Sequence, residues 1–253
     1  MVQLRELISY CDDLLEVDQF QDYCPNGLQV EGREQINKLV VGVTASQALI
    51  DAAIDEGADA LLVHHGYFWK GENAPITGLK KQRIAALLKA DISLIAYHLP
   101  LDAHPIYGNN VQLAEQLGLS VEGAYQNSSS SPALLMHGRL SEPVSGQAFA
   151  AHMGEVLQRE PLHIENRSQE VSTVAWCTGA AQNYIEQAVE MGVDAYITGE
   201  VSESTVHVAR EMGIHFYAAG HHATERYGVK ALGEHLAANF DLNQQFIDID
   251  NPV

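Results

Sequence analysis

Two pairs of adjacent histidines follow hydrophobic runs that are typical of buried strands. The stretch LLVHHGYFW ends one run with His64 and His65, and the stretch HHATE begins with His221 and ends with Glu225. The i,i+4 spacing of the latter two places both side chains on one face of a helix. Imidazole and carboxylate groups at such a spacing are typical ligands of divalent metal ions.

Other predicted strand ends also carry chemically active side chains. The segment HLPLDAHP follows a hydrophobic run and contains His98 and Asp102, and Glu200 follows the run DAYIT. Pro100 predicts a turn here rather than a regular helix. Ligands of open parallel sheets bind outside the carboxyl ends of the strands. Unpaired polar groups beside a core cost free energy, so packing alone gives no reason for this distribution.

Each pattern alone also has an ordinary structural explanation. A buried histidine can bond to the backbone, Asp102 can form an Asx-turn, and His221 with Glu225 can be a helix cap followed by a solvated acid. Taken together, three imidazoles and two carboxylates suit two borderline divalent metal ions. A carboxylate can bridge two metals, whereas an imidazole cannot, so one acid is expected between them. Metals held about 3.5–4 Å apart commonly activate water for hydrolysis.

The elements that must position these residues occur twice in the chain. Residues 39–63 and 173–198 each predict a buried strand, an amphipathic helix that ends at a glycine, and a second buried strand. EGADALLV and MGVDAYIT align without a gap from Gly57 and Gly192. A further helix and strand follow each copy, although any α/β protein can show such echoes by chance. We therefore predict an α/β fold of two related lobes from internal duplication, with mainly parallel sheets and the metal site between the lobes.

The predicted boundaries place a first α/β lobe at 1–126 and a second at 171–253. Residues 127–170 are predicted to be a linker and connecting segment, because a serine run with Pro132 is typical of an exposed loop. The segment GQAFAAHMGEVLQRE within it predicts one helix.

Composition excludes several classes of protein. The 253 residues are 46% hydrophobic and 19% charged, which is typical of a globular chain. The formal charge of −19 makes nucleic acid an unfavourable partner. We expect no membrane span and no signal peptide. Three widely spaced cysteines predict reduced thiols in a cytoplasmic protein rather than a disulfide framework.

Five motifs together resemble those of the NIF-three-like family, which is catalogued as GTP cyclohydrolase 1 type 2 homologues, and most closely its bacterial YbgI branch. The motifs are, in chain order, PNGLQVEG, VHHGYFWKGE, HLPLDAHP followed by GNN, ITGEVSE and AAGHHATERYG. The resemblance implies a dinuclear metal site between two α/β lobes and a toroidal homohexamer.

Residue by residue, the resemblance implies that His64 and Asp102 hold one metal, that His65 and His221 hold the other, and that Glu225 bridges both. We nominate two nearby residues, His98 and Glu200, for positioning or proton transfer. The metal identity stays open among Zn, Fe, Mn and Ni, because this ligand set discriminates poorly between them.

Two functions from different classes follow. The first is a metal-dependent hydrolase of a small, nucleotide-like or phosphorylated substrate, in which Tyr67, Phe68 and Trp69 are candidates for stacking on a base. The second is a non-catalytic metal-binding assembly factor or adaptor, because the sequence contains no nucleophile elbow, P-loop or dinucleotide fingerprint. Redox chemistry at a di-iron pair is a third option.

Overall fold

The computed structural model describes residues 1–125, 133–166 and 170–253. The serine run and Pro132, predicted to form a linker, lie outside these ranges. The chain forms two compact units. Unit 1 comprises Met1–Gly108 and Gly228–Asp250, and unit 2 comprises Asn109–Tyr227 and Asn251–Val253.

The described ranges contain thirteen strands and ten α-helices. The strands are β1 (Val2–Gln3), β2 (Gly27–Val30), β3 (Gln35–Ile36), β4 (Lys38–Thr44), β5 (Ala60–His65), β6 (Ser93–Ala96), β7 (Ser120–Tyr125), β8 (Leu135–Ser145), β9 (Leu162–Ile164), β10 (Glu170–Trp176), β11 (Ala195–Thr198), β12 (His215–Ala218) and β13 (Asn243–Phe246). The α-helices are α1 (Leu4–Leu14), α2 (Gln47–Asp55), α3 (Gly78–Ala90), α4 (Leu99–Ala103), α5 (Asn109–Leu117), α6 (Gly146–Leu157), α7 (Ile185–Met191), α8 (Glu203–Met212), α9 (His221–Thr224) and α10 (Arg226–Phe240). None of these helices is long and apolar enough to span a membrane.

Unit 1 is built on a five-stranded sheet in the order β13-β4-β5-β6-β2. The first four strands are parallel, and β2 pairs antiparallel with β6 at the edge. Successive side chains of a strand point to opposite faces. Val41 and Leu62 therefore belong to a core that includes residues of α1 and α10, whereas Val40 and Leu61 belong to a core with residues of α2 and α3.

Unit 2 is built on a six-stranded sheet in the order β7-β8-β10-β11-β12-β9. The three strands β10, β11 and β12 are parallel, and the outer strands pair antiparallel. Apolar residues of α5 and α6, such as Leu113 and Phe149, pack in one core with Trp176. Residues of α7 and α8, such as Ile185 and Ala209, pack in the other core.

The same arrangement lies at the centre of both units. Strands β4, β5 and β6 are adjacent, parallel and in chain order, and so are β10, β11 and β12. In each case the two connecting helices, α2 with α3 and α7 with α8, contribute to a single core. The predicted α/β fold with parallel central strands is confirmed. The origin of the two lobes by duplication stays a prediction.

The two units divide the chain differently from the predicted 1–126, 127–170 and 171–253. Strands β8 and β9 with α6 are part of the unit 2 sheet and core rather than a connecting segment. Helix α10 and strand β13 belong to unit 1, because β13 pairs with β4 and Leu232 packs in the unit 1 core. Sequence order carries no information about such non-local pairing.

The prediction of a turn rather than a helix around Pro100 is wrong. Leu99–Ala103 forms a short α-helix, and Pro100 lies in its first turn. A proline there removes no intrahelical hydrogen bond, since the first N–H groups of a helix have no intrahelical partner.

Two glycines allow opposite effects on stability to be predicted. Gly192 ends α7 with φ 70°, where an alanine is strained, so Gly192→Ala should lower the free energy of unfolding by about 1 kcal/mol. Gly154 lies inside α6, and a Cβ there meets only atoms at 3.9 Å, so Gly154→Ala should raise the free energy by about 0.5–1 kcal/mol. Urea denaturation of both variants measures the two changes. A shift of the same sign in both would contradict this interpretation of the helix end.

Candidate metal centre

Three of the predicted site histidines lie together at the carboxyl ends of β5 and β6. The ring centroids of His64 and His65 are 4.5 Å apart, and those of His64 and His98 are 5.1 Å apart. One ring nitrogen from each of the three residues lies within 4.8 Å of the others. His64 and His65 are the last two residues of β5. Neighbouring strand residues point to opposite faces of a sheet, but at this strand end the two rings lie close together.

The imidazole of His64 has a defined orientation. It is fully buried, and its Nδ1 lies 2.9 Å from the carbonyl oxygen of Tyr97. A carbonyl only accepts hydrogen bonds, so Nδ1 carries the proton and Nε2 faces Asp102 Oδ1 at 3.5 Å. In a neutral imidazole both of these facing atoms are electron-rich. A cation placed between them would be attracted by both atoms.

The other two imidazoles are also bonded through Nδ1. His65 Nδ1 lies 3.1 Å from Thr44 Oγ1, and His98 Nδ1 lies 2.7 Å from Asp22 Oδ1. The backbone N–H of His98 donates to Asn26 Oδ1 at 2.7 Å, which fixes the position of the residue. Asp22 was not predicted as a site residue. Asn26 lies in the quoted motif PNGLQVEG, but no role was predicted for it.

The carboxylate of Asp22 is buried and ionised. Its side chain is 3% exposed and accepts hydrogen bonds from Asn26 Nδ2 and from the backbone N–H groups of Tyr23 and Leu99. Burial alone would raise the pKa of Asp22, but the hydrogen bond and charge of His98, with the other donors, outweigh it and lower the pKa.

One of the three predicted aromatic residues flanks this cluster. The ring of Trp69 meets the ring of His98 edge-on at 4.9 Å and lies 5.9 Å from the ring of His65. Its indole N–H donates to the carbonyl of Gly66. Tyr67 instead is buried in the core and donates its hydroxyl to Ala45 O.

The second pair of predicted ligands lies in unit 2, where α9 follows β12. His221 Nε2 is 3.2 Å from Glu225 Oε2, so the i,i+4 contact forms although Glu225 follows the last residue of α9. His221 Nδ1 is 2.7 Å from Glu200 Oε1. Glu225 is 3% exposed, whereas the side chain of Glu200 is 34% exposed. Glu200 therefore contacts Nδ1 of His221, the ring nitrogen that does not face Glu225.

A glycine makes room for the buried acid. Gly179 has φ 69°, and a Cβ at this position would overlap Glu225 Oε1. The neighbouring Gly199 donates its N–H to the Gly179 carbonyl at 2.9 Å. No sequence pattern predicts this steric role, because it depends on the buried position of Glu225.

Two acids control the protonation of His221. Burial opposes a charged imidazole, but the hydrogen bonds and negative charges of Glu225 and Glu200 outweigh it and raise the pKa of His221 to about 9. The folded-state pKa lies above the ordinary value of 6.5. Protonation therefore stabilises the folded protein fully below about pH 6.5, and this contribution is lost as the pH rises through about 9.

We expect Glu200→Gln to lower the pKa of His221 in chelator-treated protein, because the variant removes one of the two negative charges. Proton–nitrogen NMR of the histidine rings during a pH titration measures this pKa. Glu203→Gln changes an exposed acid nearby and should leave the pKa unchanged. A pKa of His221 that does not respond to Glu200→Gln would contradict the assigned contact.

Comparison with known proteins places the whole chain in one family. Residues 2–252 match the family model of Duf34/NIF3 (NGG1p interacting factor 3). The chain belongs to the Duf34/NIF3 family. A relative from Pseudomonas aeruginosa named "GTP cyclohydrolase 1 type 2 homolog" is 57% identical over 100% of this chain and 99% of its own length. One of the same name from Yersinia pestis is 54% identical over 98% of each chain. The resemblance predicted from the five motifs is confirmed.

Two solved structures show the same fold as this chain. The protein ybgI, described as of unknown function, superposes with a TM-score of 0.95 at 52% identity over 100% of both chains. HcgD from Methanocaldococcus jannaschii, in a reduced form, superposes with a TM-score of 0.82 at 25% identity over 99% of this chain and 98% of its own.

Proposed function

We propose that this protein binds two divalent metal ions and uses them to hydrolyse a small, nucleotide-like or phosphorylated substrate. One observation carries the proposal: four imidazoles each bond to an oxygen through Nδ1. The pairs are His64 with Tyr97 O, His65 with Thr44 Oγ1, His98 with Asp22 Oδ1, and His221 with Glu200 Oε1. This pattern is typical of metal-binding histidines, because a bond at one nitrogen fixes the ring and leaves the other for a metal.

The ligands divide between two ions. We assign His64 and Asp102 to one ion and His65 and His221 to the other, with Glu225 as the bridge. The contacts of His64 with Asp102 and of His221 with Glu225 support this assignment, since each pairs an imidazole nitrogen with a carboxylate oxygen. Such nitrogen and oxygen ligands suit Zn, Fe, Mn or Ni. Assembly as a homohexamer, which the family resemblance implied, is part of the same proposal.

Local charge favours an anionic substrate. Two divalent ions carry a charge of +4, and their two carboxylate ligands, Asp102 and Glu225, offset −2, which leaves about +2 on the ions and their direct ligands. Asp22 and Glu200 contact the imidazoles of His98 and His221 and reduce this charge further out. The rest of a chain with formal charge −19 repels anions. A phosphate or similar group is therefore attracted to this site rather than to the general surface.

The protein's own residues have distinct roles in the proposed reaction. Metal ions bound there would polarise the substrate and lower the pKa of water. Asp22 orients His98, which we assign to proton transfer with the substrate. Glu200 orients His221 in the same manner. Burial of His64 and Glu225 keeps water away from the ligand atoms and strengthens their electrostatic interactions.

Metal content tests the binding part of the proposal. Elemental analysis of protein purified with its native metal should give about two ions per chain. Asp102→Asn should reduce that number, because an amide is a poorer ligand than a carboxylate. The control Asp55→Asn changes an exposed acid at the end of α2 and should retain full occupancy. Equal metal content in all three proteins would contradict the assignment of Asp102.

Turnover tests the catalytic part. The metal-loaded protein is screened against phosphate esters, nucleotides including GTP, and cyclic amides. We expect hydrolysis of at least one class, with a loss of 100-fold or more in Asp102→Asn and Glu225→Gln and none in Asp55→Asn. A fully metal-loaded protein that is silent across the panel would favour the adaptor function instead.

A further inference from the structure

A second group of potential ligands lies beside the histidine cluster and contains a thiol. Asp22, Cys24 and His98 each offer one ligand atom, and these atoms lie within 4.8 Å of one another. Cys24 is 8% exposed and forms no disulfide with a described cysteine. The proposed pair of metal ions uses neither Asp22 nor Cys24.

The group is held in place by the segment DYCPN, residues 22–26. Asp22 Oδ2 accepts from the backbone N–H of Leu99 and from Asn26 Nδ2, both at 2.9 Å. Asn26 Oδ1 in turn accepts from the backbone N–H of His98. The carboxylate and the imidazole therefore keep their positions without any contribution from the thiol. Such preorganisation lowers the entropic cost of binding a ligand.

The charges in the group favour a cation. Asp22 is ionised and buried, and burial together with this negative charge raises the pKa of the Cys24 thiol to about 12. A buried carboxylate beside a thiol lacks a cationic partner apart from the ring of His98. A divalent ion would balance one carboxylate and one thiolate to a net charge of zero, and buried charges are favourable only when they are paired.

We propose that Asp22, Cys24 and His98 form a third cation site, which takes a borderline ion such as Zn²⁺ or Co²⁺. One thiolate, one imidazole and one carboxylate leave a fourth tetrahedral position for water. On binding, the thiol proton leaves to solvent and the His98 proton moves from Nδ1 to Nε2, so that Nδ1 can coordinate. Counted with a neutral His98 ring before and after binding, the formal charge of the group changes from −1 to 0. The site holds the only sulfur ligand that we assign, so it can be observed separately from the proposed pair.

Cobalt binding tests the site. Chelator-treated protein is titrated with Co²⁺ beyond two equivalents while the near-ultraviolet spectrum is recorded. We expect a sulfur-to-cobalt charge-transfer band and about one more bound Co²⁺ per chain than in Cys24→Ser. The band should disappear in Cys24→Ser and persist in Cys177→Ser, which changes another buried cysteine. No band in the wild type, or a band that survives Cys24→Ser, overturns the proposal.

A second measurement needs no variant and covers the case in which Cys24→Ser fails to fold. Alkylation of each cysteine is followed by mass spectrometry with and without Co²⁺. Bound Co²⁺ should slow the alkylation of Cys24 at least ten-fold more than that of Cys11, a buried cysteine of the same unit. Equal slowing of both overturns the proposal. The result for this site is independent of the proposed metal pair. The ligands assigned to that pair are nitrogen and oxygen atoms, so its presence or absence does not change the sulfur-to-cobalt band.

Discussion

The hydrogen bond between His64 Nδ1 and the Tyr97 carbonyl determines which nitrogen of a fully buried imidazole faces Asp102. The sheet itself supplies the acceptor, since Tyr97 directly follows β6 and its N–H donates to Val63 O in β5. Strand pairing also supplies the hydrogen-bond partner of His65, because the parallel register of β4 and β5 places Thr44 opposite His65. Strand pairing thus orients the ligand atoms as well as forming the core.

Much of the fold could be predicted because the signals were local. The runs around Val41, Leu62 and Ile197 are continuously apolar, and each flanking helix has an apolar spacing and a glycine near its end, as at Gly57 and Gly192. The candidate site residues could be selected by one general rule, that ligands of open parallel sheets bind outside the carboxyl ends of the strands. The family resemblance added the ligand assignment, which spacing alone had left open.

The remaining features depend on contacts that sequence spacing does not encode. Nothing near Asn243 indicates that β13 pairs with Lys38 and its neighbours in β4. Asp22 precedes a short irregular segment with no periodicity, and only the folded chain shows that it holds His98. The steric role of Gly179 depends on the buried position of Glu225, which only the folded chain shows. In each case the decisive partner lies far away in the sequence.

The discontinuity of unit 1 has a consequence for biosynthesis. Met1–Gly108 emerge from the ribosome before the whole of Asn109–Tyr227, and Gly228–Asp250, which supply α10 and β13, emerge only after it. Until then, the outer edge of β4 lacks its neighbouring strand, and the sheet face that α10 covers stays open to water. An exposed edge and an apolar face of this kind are the features on which nascent chains aggregate and which chaperones recognise. The N-terminal segment of unit 1 is therefore most exposed to aggregation while Asn109–Tyr227 are being translated.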